Sequence, residues 1–401
     1  MRSVVWVVVA GCAVALAAAP VRAQGTFPLK YQEAGESDSP VWSGSYHEGS
    51  GSPPEGLKAP PKGLSEKALY FSMPVGGKSV WVVMDKTSPP RLFVDAAGTG
   101  DLSGAKPIMS TSNKGSEPVF GPVTVAPAGT DGPSGRVRFI STPHDYNESM
   151  LAVIPAGYMA GEVKLDGQSY RVAVVDNYVT GRYDNVLRLT DKKALWRWET
   201  VLAIDLDQDG RFDRVTAAGE WSPLLAGVHV KDAYYSVKVA PDGSSITLAK
   251  VELQFGMLDA GCPDLNLVLL GDSGFHNLAG SGGKWRLPAG GYRSIECILA
   301  RTDAAGATWT LRGGSSDGRF GKFDIRPGET LTAQGGPPMV VDVRAHPPMD
   351  GAVWLQFVLL SRDGQEYSPG PLKDGQRGPA PKFRILDGSG EVLAQGDFKY
   401  G

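Results

Sequence analysis

The sequence has little cysteine, little histidine and no large excess of either charge. Its 401 residues include three Cys and five His, and 40 Lys+Arg stand against 43 Asp+Glu, for a formal net charge of −3. This balance argues against a basic surface for nucleic acid or anionic lipid. Three cysteines are too few for a small disulfide-rich scaffold. The histidines form no H-x-H or H-x-x-x-H pair, so the sequence does not support a zinc hydrolase.

Long apolar runs are also absent, apart from one near the first residue. Arg2 precedes an apolar run over residues 4–19, and Val21 and Ala23 stand at the −3 and −1 positions of a cleavage site. This pattern predicts a secretory signal peptide over residues 1–23, which is too short for a comfortable membrane span. An alternative is lipid anchoring at Cys12, because residues 9–12 resemble the lipobox of bacterial lipoproteins. We therefore expect an exported protein that is periplasmic, extracellular or attached to the cell surface.

Two cysteines, Cys262 and Cys297, remain after the predicted signal peptide. Each lies next to a strand-like run, and two cysteines in an exported protein predict one disulfide. The alternative is a pair of buried free thiols. No C-x-x-C motif is present, so these thiols are not predicted to be catalytic.

The rest of the chain predicts an all-β fold. With 52 Gly and 30 Pro, about a fifth of the residues oppose helix formation. Short apolar runs alternate with turn residues, as in β-sandwiches of the Ig-like or prealbumin-like type. Asp166-Gly167 lies between two such runs and predicts a hairpin turn. The best helical candidate, residues 191–198, is only two turns long.

Composition suggests four segments after the signal peptide. Residues 24–66 form a Gly-, Pro- and Ser-rich lead-in, predicted to be extended and either draped over a domain or left as a spacer. A β domain with repeated Asp loops is predicted over residues 67–235, and a β-sandwich domain over residues 236–335. The last piece, residues 336–401, is predicted to be a small β-sandwich that is short of strands unless a neighbour supplies them.

An internal repeat is the most specific local signal. An apolar strand runs into Asp176, and after four intervening residues the chain reads Gly-Arg-Tyr-Asp. The same pattern starts again 29 residues further on, at Asp205, and ends in Gly-Arg-Phe-Asp. A weaker echo starts at Asp95. Such a spacing is rarely produced twice by chance.

The second copy has the carboxylate spacing of a calcium loop. Asp205, Asp207 and Asp209 occupy positions 1, 3 and 5, Gly210 allows a sharp turn at position 6, and Asp213 stands at position 9. The loop resembles those of thrombospondin-type and dockerin-like modules more than a complete EF-hand. These four aspartates are therefore the predicted ligands of a structural Ca²⁺. The alternative is a metal-free turn in which Asp side chains cap backbone amides, which is the expectation for the Asp176 and Asp95 copies.

One further motif resembles part of a catalytic site, but the other residues of that site are missing from the sequence. Gly271-Asp272-Ser273-Gly274 resembles the nucleophile motif of trypsin-like proteases and the Gly-Asp-Ser block of SGNH esterases. The partner motifs of both families are missing, so a turn is predicted here and no catalytic residue is assigned.

Trp196 and Trp198 form the densest tryptophan pair. They are either an aromatic platform for sugar rings or one core ring and one ring at a domain edge.

Several segments together resemble a group of secreted, β-rich bacterial proteins that carry Asp loops. The segments are residues 92–102, the Asp176 and Asp205 loops, residues 285–292 and residues 387–401. The resemblance implies an exported β protein and supplies no activity. Residues 287–292 also resemble turns of prealbumin-like accessory modules, which implies a C-terminal half without catalysis.

These observations favour an exported, non-catalytic, multi-module β protein with a calcium-stabilised loop, which binds a polysaccharide or a protein at the cell envelope. The alternative is a secreted glycan-directed hydrolase whose carboxylates come from separate strands. A pocket that pairs two carboxylates beside an exposed tryptophan would favour the hydrolase. A third option is a purely structural surface-layer or adhesion component, which would differ from the first in self-association rather than in sequence.

Overall fold

The computed structural model describes residues 22–35, 44–75, 78–111, 118–125, 135–144, 147–190, 197–213, 219–314, 319–347, 353–367 and 370–399. Within these residues the fold is all-β, as predicted, with two short 3-10 turns at Ser281–Gly283 and Arg319–Gly321. No helix in this part of the chain is long and apolar enough to cross a membrane. The predicted signal peptide and most of the helical candidate at residues 191–198 lie outside the described residues.

The strands are β1 (Arg22–Pro28), β2 (Lys30–Glu33), β3 (Ser45–Glu48), β4 (Ala68–Val75), β5 (Lys78–Asp85), β6 (Arg91–Val94), β7 (Ile108–Met109), β8 (Val119–Val125), β9 (Gly135–His144), β10 (Asn147–Pro155), β11 (Gly157–Leu165), β12 (Gln168–Asp176), β13 (Thr200–Ile204), β14 (Trp221–Pro223), β15 (Gly227–Val230), β16 (Ala233–Val239) and β17 (Ser245–Val251). They continue with β18 (Phe255–Asp259), β19 (Leu265–Gly271), β20 (Gly274–Leu278), β21 (Lys284–Pro288), β22 (Gly290–Thr302), β23 (Thr308–Gly314), β24 (Phe323–Ile325), β25 (Thr330–Thr332), β26 (Val340–Ala345), β27 (Leu355–Leu360), β28 (Glu366–Tyr367), β29 (Leu372–Lys373), β30 (Gln376–Arg377), β31 (Lys382–Leu386) and β32 (Val392–Asp397).

The first core is buried between two four-stranded sheets, ordered β4-β5-β6-β7 and β3-β10-β9-β8. Phe71 and Val82 from the first sheet share one hydrophobic cluster with Phe139 and Leu151 from the second. Apolar and exposed residues alternate along β4, as expected for a strand with one buried face.

The second core lies between the five-stranded sheet β14-β13-β12-β11-β2 and the four-stranded sheet β1-β17-β16-β15. Val172 and Val174 of β12 belong to this core, whereas Ala173 and Val175 belong to a separate cluster on the opposite face of the sheet. Burial on both faces explains why β12 reads as an unbroken apolar run. The loops that follow β12 and β13 start at opposite ends of this sheet, because the two strands are antiparallel.

The predicted Asp166-Gly167 hairpin is confirmed. The two residues join β11 to β12, whose pairing runs from Leu165 opposite Gln168 to Met159 opposite Val174. Both turn residues have positive φ, 47° for Asp166 and 89° for Gly167. This is the backbone that a two-residue hairpin of primed type requires, and Asp-Gly adopts it at low cost.

The described part of the lead-in lies on the sheets. β1 pairs with β17, β2 with β11 and β3 with β10, each in antiparallel register. Leu57 and Leu64 pack on the outer face of the β4–β7 sheet. Of the two alternatives for the lead-in, the one in which it is draped over a domain agrees with these contacts.

The third core is formed by the sheets β21-β18-β25 and β20-β19-β22-β23-β29-β30, with β24 also paired to β22. Tyr367 of β28 is buried in it, and its hydroxyl donates to the Gly335 carbonyl. Two small sheets follow, β26-β27-β28 and β31-β32. Position 235 lies within β16, and position 335 lies in a segment that contacts the third core; the proposed domain boundaries stay predictions.

Cys262 and Cys297 are both buried in the third core as free thiols, so the predicted disulfide is not formed in the structure. The Cys297 thiol lies 3.6 Å from the Ser294 hydroxyl instead. Burial raises the pKa of both thiols, that of Cys297 to about 12. The two cysteines pack as small apolar side chains.

We expect neither thiol to react with iodoacetamide in the native protein at neutral pH, because burial blocks access and disfavours the thiolate. Both should react after denaturation without a reductant. Mass mapping of alkylated peptides with and without denaturant makes the measurement. Recovery of a linked Cys262–Cys297 peptide under non-reducing conditions would contradict the free-thiol assignment.

Candidate metal centre

The strongest candidate site is the loop that follows β13. Asp205 is 3% exposed at the end of this buried strand, whereas Asp207 and Asp209 are exposed. One carboxylate oxygen from each of the three residues lies within 4.8 Å of the other two. The structure thus brings together three of the four predicted calcium ligands. The fourth, Asp213, is exposed and is not part of this group.

The backbone of the loop explains this convergence. Gln208 has φ of 67° and Gly210 has φ of 86°, so the chain turns twice through the left-handed region within three residues. The amide of Gly210 donates to Asp205 Oδ2 at 3.1 Å, which closes the loop onto the end of β13. Asp207 Oδ1 accepts from the Asp209 amide at 3.0 Å, and Asp209 Oδ1 accepts from the Arg211 amide at 2.8 Å.

Two residues outside the motif hold the loop, and the sequence analysis missed both. Glu220 is buried; its Oε1 accepts from the Leu206 and Asp207 amides at 2.7 and 3.2 Å, and its Oε2 accepts from the Asp213 amide at 2.9 Å. Arg171 of β12 donates to the Gly210 carbonyl, and its guanidinium lies 5.3 Å from the centre of the Phe212 ring. Neither has a fixed spacing within the Asp motif, so only the three-dimensional pairing reveals them.

The Asp95, Asp176 and Asp205 loops (residues 95–100, 176–181 and 205–210) share one backbone design. In each, the third and the fifth residue after Asp have positive φ: Gly98 and Gly100, Val179 and Gly181, Gln208 and Gly210. In each, one oxygen of the buried Asp accepts the amide of that final glycine, at 2.7, 2.7 and 3.1 Å respectively. The weak Asp95 echo seen in the sequence is therefore a real structural repeat.

The loops differ at the fourth residue after Asp. In the Asp95 and Asp176 loops this residue is a threonine, whose amide and hydroxyl both contact Oδ1, at 3.1 and 3.3 Å for Thr99 and at 2.8 and 3.0 Å for Thr180. In the Asp205 loop it is Asp209, which has no proton to donate when ionised. Asp205 Oδ1 is buried and has no hydrogen-bond partner in the described part of the chain.

An unpartnered oxygen on a buried carboxylate is costly, and two further carboxylates nearby add repulsion. A divalent cation compensates both effects at once, because it coordinates the open oxygen and neutralises the group. In the Asp176 loop no such need arises, since both oxygens of Asp176 accept hydrogen bonds. Burial raises the pKa of Asp176 to about 6, against these hydrogen bonds, which lower it.

The predicted aromatic platform is described only in part. Trp196 lies outside the described residues, and Trp198 is half-buried, with its ring 5.1 Å from that of Trp221. The neighbouring Arg197 guanidinium lies 4.9 Å from the centre of the Tyr178 ring. Trp198 is thus a packed ring at the edge of the five-stranded sheet.

The Gly271-Asp272-Ser273-Gly274 segment is the predicted turn, since it joins β19 to β20 with Gly271 opposite Gly274. Ser273 Oγ lies 3.1 Å from His276 Nε2 and 3.4 Å from the Tyr292 hydroxyl. Burial, together with the nearby His229, lowers the pKa of His276 to about 3. So weak a base is poorly suited to activating a serine near neutral pH.

A surface cavity of about 360 Å³ carries the carboxylates of Asp324 and Glu329 together with Lys322 and Arg326. Glu329 Oε2 lies 3.7 Å from Arg326 Nη1, so this carboxylate has a cationic partner. The lining contains no tryptophan. The cavity therefore lacks the tryptophan expected of the hydrolase alternative.

No protein-family model, no curated protein and no solved structure matches this chain.

The buried His276 predicts a loss of stability in mild acid. Its folded pKa of about 3 lies below the ordinary 6.5, so the unfolded chain binds more protons between these values. The free energy of unfolding therefore falls as the pH drops through this window, by up to about 1.4 kcal/mol per pH unit for this group.

Urea unfolding between pH 7 and pH 4 measures how the free energy of unfolding depends on pH. His276→Gln should reduce the number of protons taken up on unfolding by up to one, and so make this dependence shallower. His346→Gln is the matched control, because His346 is exposed. An unchanged slope in His276→Gln would contradict the assignment.

Proposed function

We propose that this chain is an exported, non-catalytic β protein that binds Ca²⁺ through Asp205, Asp207 and Asp209 to stabilise its fold. The observation that carries the proposal is the open oxygen of Asp205. Three loops share one backbone, and the one in which Asp replaces Thr is the one whose buried carboxylate lacks a second donor. Asp209 stands where the other two loops have threonine. This difference removes the hydroxyl donor to the buried carboxylate and also adds a third carboxylate to the cluster.

The chemistry of the ligands favours calcium. All the side-chain donors are carboxylate oxygens, which are hard ligands, and no thiol or imidazole joins the group. Ca²⁺ accepts irregular shells of six to eight oxygens, so exposed Asp207 and Asp209 leave room for water and backbone carbonyls. Mg²⁺ demands a near-ideal octahedron, which suits this open loop less well. Asp213 is retained as a proposed additional ligand.

The role that we propose for the ion is structural. The loop is fastened to β12 through Arg171 and to the residue before β14 through Glu220, so it joins three neighbouring strands of the five-stranded sheet. An ion bound to the loop would stabilise this end of the sheet in the folded state alone.

We further propose that the sheet pairs are Ig-like or prealbumin-like modules that present a binding surface to a polysaccharide or an envelope protein. Exposed aromatic rings support this, among them Tyr46 at 55% and Trp309 at 40% exposure. The Trp309 indole donates to Asp303 Oδ2 at 2.9 Å, which fixes a ring able to stack on a sugar. The cavity without tryptophan gives the hydrolase alternative less support.

Calcium should raise the melting temperature of residues 24–401 by about 5–10 °C over the value in EDTA, as expected for an ion at a hundred times its Kd. Asp205→Asn should abolish the shift. Asp209→Thr restores the threonine of the other two loops, so it should melt higher than the wild type in EDTA and gain nothing from calcium. Differential scanning calorimetry measures all three.

Asp184→Asn is the matched control, because Asp184 holds the last position of the first repeat and pairs with Arg182 at 2.7 Å. It should keep the full calcium shift. Asp213→Asn separates a three-aspartate shell from a four-aspartate shell by the size of its loss. Equal melting temperatures in calcium and EDTA for the wild type would reject the metal site.

A further inference from the structure

We propose that two copies of this chain associate edge to edge through β26, in an antiparallel pair centred on Val343. β26 is the outer strand of the β26-β27-β28 sheet, and β27 is its only paired strand within the described residues. Its second edge therefore offers backbone donors and acceptors to another strand. The proposal does not depend on the metal site.

Exposed apolar side chains are concentrated in the C-terminal part of the described chain. Nine of the fourteen large apolar residues that are exposed in the described chain follow residue 339. On β26 itself, Val340, Val341 and Val343 are 51%, 59% and 47% exposed. Apolar groups at this density on a sheet edge mark an association surface.

The charges on β26 select a second copy as the partner. When the strand pairs with itself around Val343, Asp342 lies directly opposite Arg344 of the second copy, and Arg344 lies opposite Asp342 of that copy. Opposite charges directly across an antiparallel pair are favourable. A strand of unrelated sequence has no such match built in.

The two neighbouring registers of self-pairing are disfavoured by the same rule. A pair centred on Asp342 places the two Asp342 carboxylates opposite each other, and a pair centred on Arg344 does the same with two guanidinium groups. Like charges in these positions repel. Charge therefore favours the register centred on Val343 over these two.

Within one chain, Arg344 and Asp342 share one face of the sheet. Arg344 Nη1 lies 2.9 Å from Glu366 Oε2 of β28, and Arg344 Nε lies 3.5 Å from Asp342 Oδ2, so in the dimer the guanidinium must turn towards the partner strand. On the opposite face, Val341 and Val343 lie across from Leu359 and Phe357 of β27. The pairing would extend this partly covered apolar face across the two-fold axis.

Charge exchange tests the proposal. Sedimentation equilibrium of residues 24–401 in calcium should show a monomer–dimer equilibrium at micromolar concentrations. Asp342→Arg and Arg344→Asp should each weaken the dimer about tenfold or more, because each creates two like-charge pairs. The double variant, with both substitutions, should recover most of the affinity. Arg384→Asp changes an exposed charge on β31 and should leave the dimer intact.

Cross-linking tests the register. Val343→Cys places two thiols directly opposite each other and should give a disulfide-linked dimer under mild oxidation. Val341→Cys, at an even more exposed position, should not, because its equivalent lies four residues away along the partner strand.

A monomer at every concentration, a dimer insensitive to both single charge variants, failure of the double variant to recover, or assembly beyond a dimer would each overturn the proposal. These outcomes leave the calcium proposal untouched, since that is read from the melting temperature of the monomer unit.

Discussion

A carboxylate placed at the end of a buried strand is the interaction on which the central part of this fold depends. β12 and β13 are buried on both faces, and the aspartate that ends each strand is itself buried. Backbone amides that turn there need acceptors. Asp176 and Asp205 provide them, since each accepts the amide of the glycine five residues later. The loops can then be short and fixed in shape.

The same device joins one core to the next. Val179, in the middle of the Asp176 loop, has φ of 54°, which is unfavourable for a β-branched residue. Its side chain is nevertheless buried in the core formed by β4–β10, whereas Tyr183, two residues after the loop, is buried in the core formed with β15–β17. Burial of two large side chains in two cores compensates for the strain of one residue. A loop that reads as a turn motif in the sequence therefore bridges two sheet pairs.

Local patterns could be predicted from the sequence, and long-range ones could not. The Asp166-Gly167 hairpin, the β19–β20 turn and the repeated loops rest on nearby residues whose backbone preferences decide the shape. By contrast, β1 pairs with β17, more than 200 residues away in the chain, and a Gly- and Ser-rich segment gives no sign of its partner. Glu220 escaped notice for the same reason, as its contacts depend on how the chain returns to the sheet. The disulfide prediction was wrong because compartment and cysteine count do not reveal that two thiols are packed as core residues.

After residue 339, the described chain leaves more large apolar side chains exposed than the cores before it do. Those cores are closed because each apolar sheet face meets another sheet. Beyond β25, the described residues form a three-stranded sheet, a two-stranded hairpin and the β29–β30 pair, and valines on β26 stay exposed. Phe398 covers Phe357 and Phe383 but does not reach a closed core, since Val341 and Val343 stay open. Charged side chains on an edge strand repel some strands and favour others. In the dimer that we propose, the Asp–Val–Arg order of β26 favours a second copy, because it is complementary to its own antiparallel copy.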